Sequence, residues 1–436
     1  MKEMKLTFLY YPRLDSIQHD IIEELSFHTS KLYNTANYEC RENGFKKYTE
    51  LEKMFKSNWH ADYLHSHTYQ HCLRILEQNW NSYAALISDY KRCPEKYAAR
   101  PGPPGYKHIK TNKNEIVFTN LAVRYRNGVL LLSLSKAMQE KFKVKSLNFE
   151  VSKKLQGLVN WESIQQIRIK WDRSKKRWVL LIIYRCAAAD CNEDYSNVMA
   201  VDIGLNNLAA ITLKDNNAAY IISGSEAKSV NSHTNKKISL LASARMKQVG
   251  NKHFKRTKRI NNLQNYRNSY MHDYMHKASS IIVDIAKTYK VGTIVVGDLT
   301  GIKKGNRNKS FVQVPVWKIY ELVKYKAEQA GIKVVKQKEN YTSGVSSLDL
   351  EPVTKKYYDG SRRVHRGLFV SNKGLKINAD INGSLNIMRK YLKDKCIPKP
   401  IVSARDKGYV TAPVRIRVAC SNRWKHKYHT PYEASI

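Results

Sequence analysis

The spacing of apolar residues predicts different structures in successive parts of the first 115 positions. Residues 4–11 (MKLTFLYY) predict one opening strand. From Ser16 to about Tyr90, apolar residues recur every three or four positions, which predicts helices with a buried stripe. Proline and glycine then crowd residues 93–115, so a loop or boundary is expected there. We therefore predict a helical lobe over residues 13–115.

The next part of the chain has the short apolar runs of strands, separated by turn residues. The predicted strands cover residues 116–119, 129–134, 147–151, 164–171 and 177–184. We predict that residues 1–12 and 116–195 together form one β-barrel-like domain, which the helical lobe interrupts.

From residue 197 to 391 strands and helices alternate. The order is strand, strand, strand, a long helical stretch over residues 234–290, strand, helix, strand, a polar insert at about 340–376, and a last helix. Strands that alternate with helices should be parallel and central. We predict an α/β domain over residues 196–395, followed by a basic tail, 396–436.

The net charge of the chain indicates what kind of partner it binds. Lysine and arginine number 76 against 37 aspartates and glutamates, a formal net charge of +39, which points to a polyanion. The 28 tyrosines offer stacking surfaces that suit single-stranded nucleic acid. No apolar run is long enough for a membrane span, and the N-terminus lacks the apolar region of a signal peptide. We expect no membrane partner and a cytoplasmic location.

Four acids fall where the predicted α/β domain would bring them together. Asp202 follows the apolar run VMAV, Asp298 and Glu339 follow later strands, and Asp380 lies in the first turn of the last helix. Functional groups gather at the carboxyl ends of such strands, and carboxylates are typical Mg²⁺ ligands. Taken singly, Asp202 could cap a hairpin turn and Asp380 could be an ordinary helix-terminus charge.

Five segments in this order resemble the TnpB (OrfB) family: VDIGLNNLAAIT, TIVVGDLTGIK, YKAEQAGIKVV, ENYTSGVSSLD and INADINGSLNIMRK. These are RNA-guided nucleases of insertion sequences, related to type V CRISPR effectors. The resemblance is strong over about residues 197–392 and weaker upstream, through Leu32–Tyr38 and Pro101–Lys107. It implies a multidomain α+β protein with a RuvC-like, RNase H-type nuclease domain. The barrel would be the wedge domain, and the helical lobe the recognition domain.

The resemblance also implies the catalytic residues, with one departure. Asp202 matches the first catalytic Asp of the family and Asp380 the third. The usual second acid, a Glu, is replaced by Gly297 in VVGDL, and Asp298 comes one position late. A subset of the family is similar in having a Glu shortly before YTS, the place of Glu339. We predict Asp202, Glu339 and Asp380 as catalytic residues and as ligands of two Mg²⁺ ions, with Asp298 in reserve.

The insert departs from the family as well. The usual member carries two CxxC pairs there, a zinc ribbon, whereas this chain has no cysteine between Cys191 and Cys396. Such a site needs four protein ligands, mostly thiolates, so no structural zinc is expected. No CxxC pair occurs elsewhere, and the seven cysteines are interpreted as reduced thiols.

Basic residues before the barrel, in the long helical stretch and in the insert are predicted to bind nucleic acid: Lys107, Lys110, Lys255, Arg256, Lys258, Arg259, Arg362 and Arg363. A solvated loop is the alternative interpretation for the insert. The expected partners are a guide RNA from the same locus and double-stranded target DNA with a short flanking motif. We expect a monomer in a bacterial or archaeal cytoplasm, associated with the nucleoid.

The predicted function is an RNA-guided, Mg²⁺-dependent DNA endonuclease of a transposable element. The first alternative is an RNA-guided DNA binder or repressor with an inactive nuclease site, suggested by Gly297. A strand-joining transposase would need a nucleophilic tyrosine and a metal-binding His pair. It is disfavoured because the one HxH, His65–His67, lies in a helical stretch. A structured-RNA-binding protein would make the four acids a coincidence.

Overall fold

The computed structural model describes residues 3–187, 189, 196–250, 254–298, 314–365, 367–407 and 412–418. The chain divides into two compact units, Glu3–Ala187 and a second that begins at Ala188. Both mix helices with sheets, as the sequence predicts. No described helix has both the length and the apolar composition needed to cross a membrane.

The first unit contains helices within the predicted lobe and two short helices, at 136–142 and 153–156, that the sequence does not predict. They are α1 (Ser16–Glu42), α2 (Tyr48–Met54), α3 (Trp59–Asp62), α4 (Ser66–Arg92), α5 (Lys136–Phe142) and α6 (Lys153–Gln156). Helix α1 begins at a capping box, in which Asp15 Oδ1 accepts from the Gln18 amide at 2.7 Å and Gln18 Oε1 accepts from the Asp15 amide at 3.0 Å. This reciprocal pair satisfies two amides that lack a helical partner.

Seven antiparallel strands complete the first unit. They are β1 (Glu3–Tyr10), β2 (Ile116–Thr119), β3 (Val123–Arg126), β4 (Val129–Ser133), β5 (Ser146–Glu150), β6 (Ile164–Asp172) and β7 (Arg177–Ala187). They form two sheets, ordered β1-β7-β6-β2 and β3-β4-β5. Strands and helices share one core, with Phe118, Phe149 and Trp178 buried in it. The predicted closure into a barrel and the domain boundaries stay predictions.

The second unit is built on a six-stranded sheet of order β12-β11-β8-β9-β10-β15. Its strands are β8 (Asn197–Ile203), β9 (Asn207–Leu213), β10 (Ala219–Ser223), β11 (Val291–Asp298), β12 (Lys333–Lys338) and β15 (Val414–Ile416), and a separate hairpin joins β13 (Leu368–Val370) to β14 (Lys376–Asn378). The helices are α7 (Ser225–Val249), α8 (Lys258–Thr288), α9 (Lys318–Gln329), α10 (Ala379–Leu392) and α11 (Lys399–Lys407).

The later strands pair in parallel, as predicted: β11 lies between β8 and β12 and is parallel to both. The prediction that all of them are central is wrong for β12, which forms an edge of the sheet. Its lysines explain this position, because Lys333, Lys336 and Lys338 are exposed and charged side chains are tolerated at an edge.

Two further details differ from the predictions. The single helical stretch over residues 234–290 is two helices, and α7 ends where Gly250 adopts the left-handed conformation with φ +67°, a common helix terminator. The predicted tail contains α11 and β15, and β15 extends the main sheet beside β10. The tail from residue 419 onward lies outside the described residues.

The side chains of β8 alternate between two layers, which positions the site. Met199 and Val201 pack into the core that contains α8 and α9 residues, whereas Val198 and Ala200 pack with Ile387 and Met388 of α10. Since successive side chains of a strand point to opposite faces, Asp202 belongs to the α10 face. Helix α10 is held there by Ser384, whose hydroxyl donates to the Ala200 carbonyl at 3.0 Å.

Candidate active site

Asp202 lies near the end of β8 between buried Val201 and Ile203. Helix α10 passes so close that a Cβ atom on Gly383 would lie 2.6 Å from Asp202 Oδ2. The glycine therefore permits the approach of the helix that carries Asp380. Burial, and then the negative charges of Glu339 and Asp380, raise the pKa of Asp202 well above its ordinary value, and Arg363 opposes them. The predicted acids are thus electrostatic neighbours.

Asp380 stands in the first turn of α10, which Asn378 caps by accepting from the amides of Asp380 and Ile381 at 3.0 and 3.3 Å. Both carboxylate oxygens of Asp380 have protein donors. Asn207 Nδ2 donates to Oδ2 at 2.6 Å, and Arg363 Nη2 donates to Oδ1 at 2.7 Å. The carboxylate is therefore fixed from two sides.

Glu339 follows β12, and its carboxylate fills the space beside Gly297 on the neighbouring β11. A Cβ atom at position 297 would lie 1.7 Å from Glu339 Oε1 and 2.6 Å from Cδ. Val295, on the same face of β11 as Gly297, packs against α10, so Gly297 and Asp202 belong to the same side of the sheet. The second acid predicted from the sequence thus has room there only because position 297 is glycine.

One oxygen of the Glu339 carboxylate, Oε1, is buried and makes no hydrogen bond. Burial, and then the charge of Asp298, raise the pKa of Glu339 to about 7, while Lys390 opposes the shift. Its backbone is better held, because the amide and hydroxyl of Thr342 donate to the Glu339 carbonyl at 3.1 and 2.8 Å.

Asp298, the reserve acid, is the last residue of β11 and pairs in register with Lys338. Because the strand continues to this residue, its side chain belongs to the face opposite Gly297. It still lies close enough to raise the pKa of Glu339. The arrangement therefore favours Glu339 over Asp298 as the acid that joins Asp202 and Asp380.

The cysteine-free insert is cross-linked by a buried carboxylate. Glu351 accepts from Arg362 Nη1 at 2.8 and 2.7 Å, from the Ser346 amide at 2.9 Å and from Asn372 Nδ2 at 2.6 Å. These bonds tie together three segments of the insert. The guanidinium of Arg362, predicted to bind nucleic acid, thus has an internal partner, and the next residue, Arg363, reaches Asp380.

The other predicted nucleic-acid contacts fall into two groups. Lys107 is half-buried, with its ammonium 4.7 Å from the Tyr33 ring centroid, and burial lowers the pKa of this lysine. The exposed group consists of Lys110, Lys255, Arg256, Lys258 and Arg259. Exposure is compatible with binding to phosphate, so for these five the prediction stands as made.

Three contributors to the site were missed from the sequence: Asn207, Gly383 and Glu351. Asn207 and Gly383 lie inside the motifs VDIGLNN and NADINGS, where they read as a turn residue and a helix residue. Only their contacts with Asp380 and Asp202 give them a role at the site. Glu351 carried no sequence signal, because a single acid in a polar insert is ordinarily solvated.

The donor set suits a hard divalent cation. Carboxylate oxygens are the ligands that Mg²⁺ prefers, and a cation would relieve both the repulsion among the acids and the unpaired Glu339 Oε1. Within the described ranges, no three acidic, imidazole or thiol side chains already stand as a metal-binding group. Because Arg363 Nη2 already donates to Asp380 Oδ1, a metal at that oxygen would either share it with the guanidinium or displace it.

Two protein-family models match the second unit. OrfB_IS605, described as "Probable transposase", matches residues 188–303, and the Cas12f1-like TNB domain matches residues 318–387. The CRISPR-associated endodeoxyribonuclease Cas12f1 of Sulfoacidibacillus thermotolerans is 30% identical over 239 residues, 53% of this chain and 54% of the relative. The TnpB-like protein ORF457 of Acidianus two-tailed virus is 22% identical over 411 residues, 86% of this chain and 84% of the relative.

A solved structure shows the same fold at low identity. The cryo-EM structure of a Cas12f1-sgRNA-target DNA complex superimposes with a TM-score of 0.58 and 14% identity, covering 84% of this chain and 82% of that one. The chain spans about half the length of the curated Cas12f1 relative and most of the viral one. By these two models and these relatives, the chain is similar to TnpB-like proteins and to the Cas12f group of type V effectors.

Proposed function

We propose that this protein is an RNA-guided DNA endonuclease of a transposable element, and that it hydrolyses phosphodiester bonds at the site formed by Asp202, Glu339 and Asp380. The observation that carries the proposal is the fit of Glu339 beside Gly297, where a Cβ atom would lie 1.7 Å from Oε1. Burying an unpaired carboxylate costs free energy of folding. Its presence in that space is therefore better explained by a function than by simple loss of the second acid. A relative named endodeoxyribonuclease supports the same reaction class.

The second unit is, on this proposal, the RuvC-like, RNase H-type nuclease domain. Its parallel strands β8, β11 and β12, with helix α10 packed on them, support this because β8, the end of β12 and α10 bring three acids from distant sequence positions to one side of one sheet. The helices and strands of the first unit would be the recognition and wedge domains.

Asp202, Glu339 and Asp380 would hold two Mg²⁺ ions. Bound there, the ions would activate a water molecule and stabilise the leaving 3′ oxygen. Asn207 orients one oxygen of Asp380 from the turn that follows Asp202. Thr342 and Asn386, whose side-chain Nδ2 donates to the Thr342 carbonyl at 2.9 Å, hold the backbone from which Glu339 extends. These contacts reduce the reorganisation that the carboxylates need before they bind a cation.

The proposed partners are a guide RNA from the same locus and double-stranded DNA that carries a short flanking motif. The formal charge of +39 supports polyanionic partners, whose affinity should fall steeply with salt. The solved Cas12f1 structure with a similar fold contains sgRNA and target DNA. We propose one protein chain per guide RNA.

The test is to purify the full chain with its native flanking locus, to sequence the RNA that co-purifies, and to incubate the complex with plasmid DNA. We expect cleavage that requires both RNA and Mg²⁺ and is lost in Asp202→Ala and in Glu339→Ala. Undiminished cleavage by Glu339→Ala would refute the assignment of the second acid. Guided DNA binding without cleavage would show that the protein is the inactive binder.

A further inference from the structure

An open cavity of about 460 Å³ lies beside the turn that follows Asp202, against the first turns of α7. Its lining is polar and basic: Asn206, Lys228, Ser229, Ser232, His233 and Lys236. Ser225 also lines it, so that positions 225, 229, 232 and 236 form one stripe along α7. Among the described residues no acid lines the cavity, although Glu226 is nearby in sequence.

Glu226 is directed to other partners. Its Oε2 accepts from the buried Tyr274 hydroxyl at 2.9 Å and from the Ser225 hydroxyl at 3.3 Å. The cavity therefore presents two ammonium groups, an imidazole and serine hydroxyls, and of these the described carboxylate of Glu226 contacts only the Ser225 hydroxyl. Such a lining suits an anion with several acceptor oxygens, and it offers little to an apolar ligand.

Two adjacent asparagines connect this cavity to the carboxylate site. Asn207 donates to Asp380 Oδ2 at 2.6 Å, while Asn206 Oδ1 accepts from Lys228 Nζ at 3.0 Å. The turn is fixed on α7, because the Gly224 amide donates to the Asn206 carbonyl at 2.8 Å. A Cβ atom at Gly224 would lie 2.2 Å from the Leu205 carbonyl oxygen, so only glycine allows this contact. The adjacent residues Asn206 and Asn207 thus contact one site each.

We infer that this cavity binds a backbone phosphate of the DNA strand that is being cut, next to the phosphate at the carboxylate site. Successive phosphates of one strand are close enough for neighbouring sites to hold two of them, and lysine and serine are common phosphate partners. The identity of the strand rests on the proposed function, whereas anion binding by the cavity does not. Lys228 and Lys236 supply the charge, and the serines supply neutral donors.

The test measures DNA binding, so it does not depend on cleavage. Full-length protein, as purified and with Asp202→Ala to prevent cutting, is titrated with labelled single-stranded DNA at several salt concentrations. Lys236→Ala should weaken binding and lower the slope of log affinity against log salt by about 0.7, the value for one lost phosphate contact. Ser229→Ala with Ser232→Ala should weaken binding without changing the slope.

Lys237→Ala is the matched control, because Lys237 is the next residue, is also exposed and does not line the cavity. Equal effects of the two lysine variants would reduce the cavity to part of a general positive field and overturn the inference.

Which DNA phosphate occupies the cavity is tested with DNA in which single phosphates are replaced by neutral methylphosphonates. At one DNA position, the methylphosphonate should weaken DNA binding by the Asp202→Ala protein. The same methylphosphonate should not weaken DNA binding by the protein that carries both Asp202→Ala and Lys236→Ala. If Lys236 were coupled to no DNA phosphate, or only to a phosphate of the bound RNA, the assignment would be contradicted. A protein that never cleaves DNA but shows this coupling would disprove the nuclease proposal and leave the anion site standing.

Discussion

Gly297 and Glu339 share one space: a Cβ atom on the first would lie 1.7 Å from Oε1 of the second. Gly297 is the penultimate residue of β11 and Glu339 directly follows the neighbouring parallel strand β12, so one carboxylate can reach the site from either position but not from both. The absence of an acid at position 297 and the presence of one at position 339 are therefore one structural feature. This relationship can be tested by moving the acid.

Gly297→Ala should abolish most cleavage, because the new methyl group displaces the Glu339 carboxylate. Glu339→Ala should be equally inactive for lack of the acid. The double variant Gly297→Glu with Glu339→Ala should recover activity above either single variant, since it restores a carboxylate at the position that the wider family uses. Guided plasmid cleavage under identical RNA and Mg²⁺ conditions measures all three.

Gly102→Ala is the control for a glycine replacement, because a Cβ atom there would meet nothing within 4 Å. Thermal melts of every variant would separate a displaced carboxylate from a misfolded chain. Full activity of Gly297→Ala would contradict the shared-space relationship.

The stability of the metal-free protein should depend on pH through Glu339. Its pKa is raised from 4.5 to about 7 in the folded state, so the folded chain binds more protons than the unfolded chain between these values. The free energy of unfolding should therefore fall as pH rises through this window, by about 3 kcal/mol for this group. Glu339→Gln should be nearly as stable as wild type near pH 4.5 and more stable above pH 7.

Chemical denaturation in the presence of a chelator, at pH 5 and at pH 8, measures this difference. Glu321→Gln, at an exposed position of α9, should leave the pH dependence unchanged. If wild type and Glu339→Gln lost stability in parallel between the two pH values, the buried carboxylate would not be the cause.

The sequence predicts the buried strands of the second unit better than the elements around them. Apolar periodicity locates β8 and β11 closely, because strands buried on two faces have nearly continuous apolar runs. It misses β3, whose residues VRYR are half charged, and it merges α7 and α8, because the break at Gly250 is a single residue in a polar helical stretch. Each miss falls where one backbone conformation or one pairing partner overrides the local pattern.

The contacts within the site could not be predicted for a related reason. The spacing of Asp202 and Asp380 in their motifs is visible in sequence, but the roles of Gly383 and Asn207 depend on which helix crosses which strand. Arg362 is a residue for which the sequence suggests a role that its contacts in the structure do not support. Its charge suggests contact with nucleic acid, whereas its guanidinium is committed to Glu351 inside the insert.

Glu351 should hold the insert together without a metal. Glu351→Ala removes the main partner of the half-buried Arg362, which keeps only Asp359 at 3.6 Å from its Nε, so we expect a loss of about 1–3 kcal/mol in the free energy of unfolding of the insert. The double variant Glu351→Ala with Arg362→Ala should lose less, because no charge is stranded. Hydrogen exchange of the insert amides measures both, and zinc analysis of the purified protein should find no stoichiometric zinc. A melting temperature lowered by a zinc chelator would contradict this account.

Arg363 should compete with a divalent cation for Asp380. Its guanidinium donates to Asp380 Oδ1 at 2.7 Å and opposes the rise in the pKa of Asp202, so it supplies positive charge where the proposed metal would bind. Arg363→Ala should therefore bind Mn²⁺ several-fold more tightly than wild type when nucleic acid is absent, as measured by calorimetry. Arg363→Lys, which keeps the charge but loses the planar fork, should lie between the two. Weaker Mn²⁺ binding by Arg363→Ala would show instead that the guanidinium arranges the carboxylates for the metal rather than competing with it.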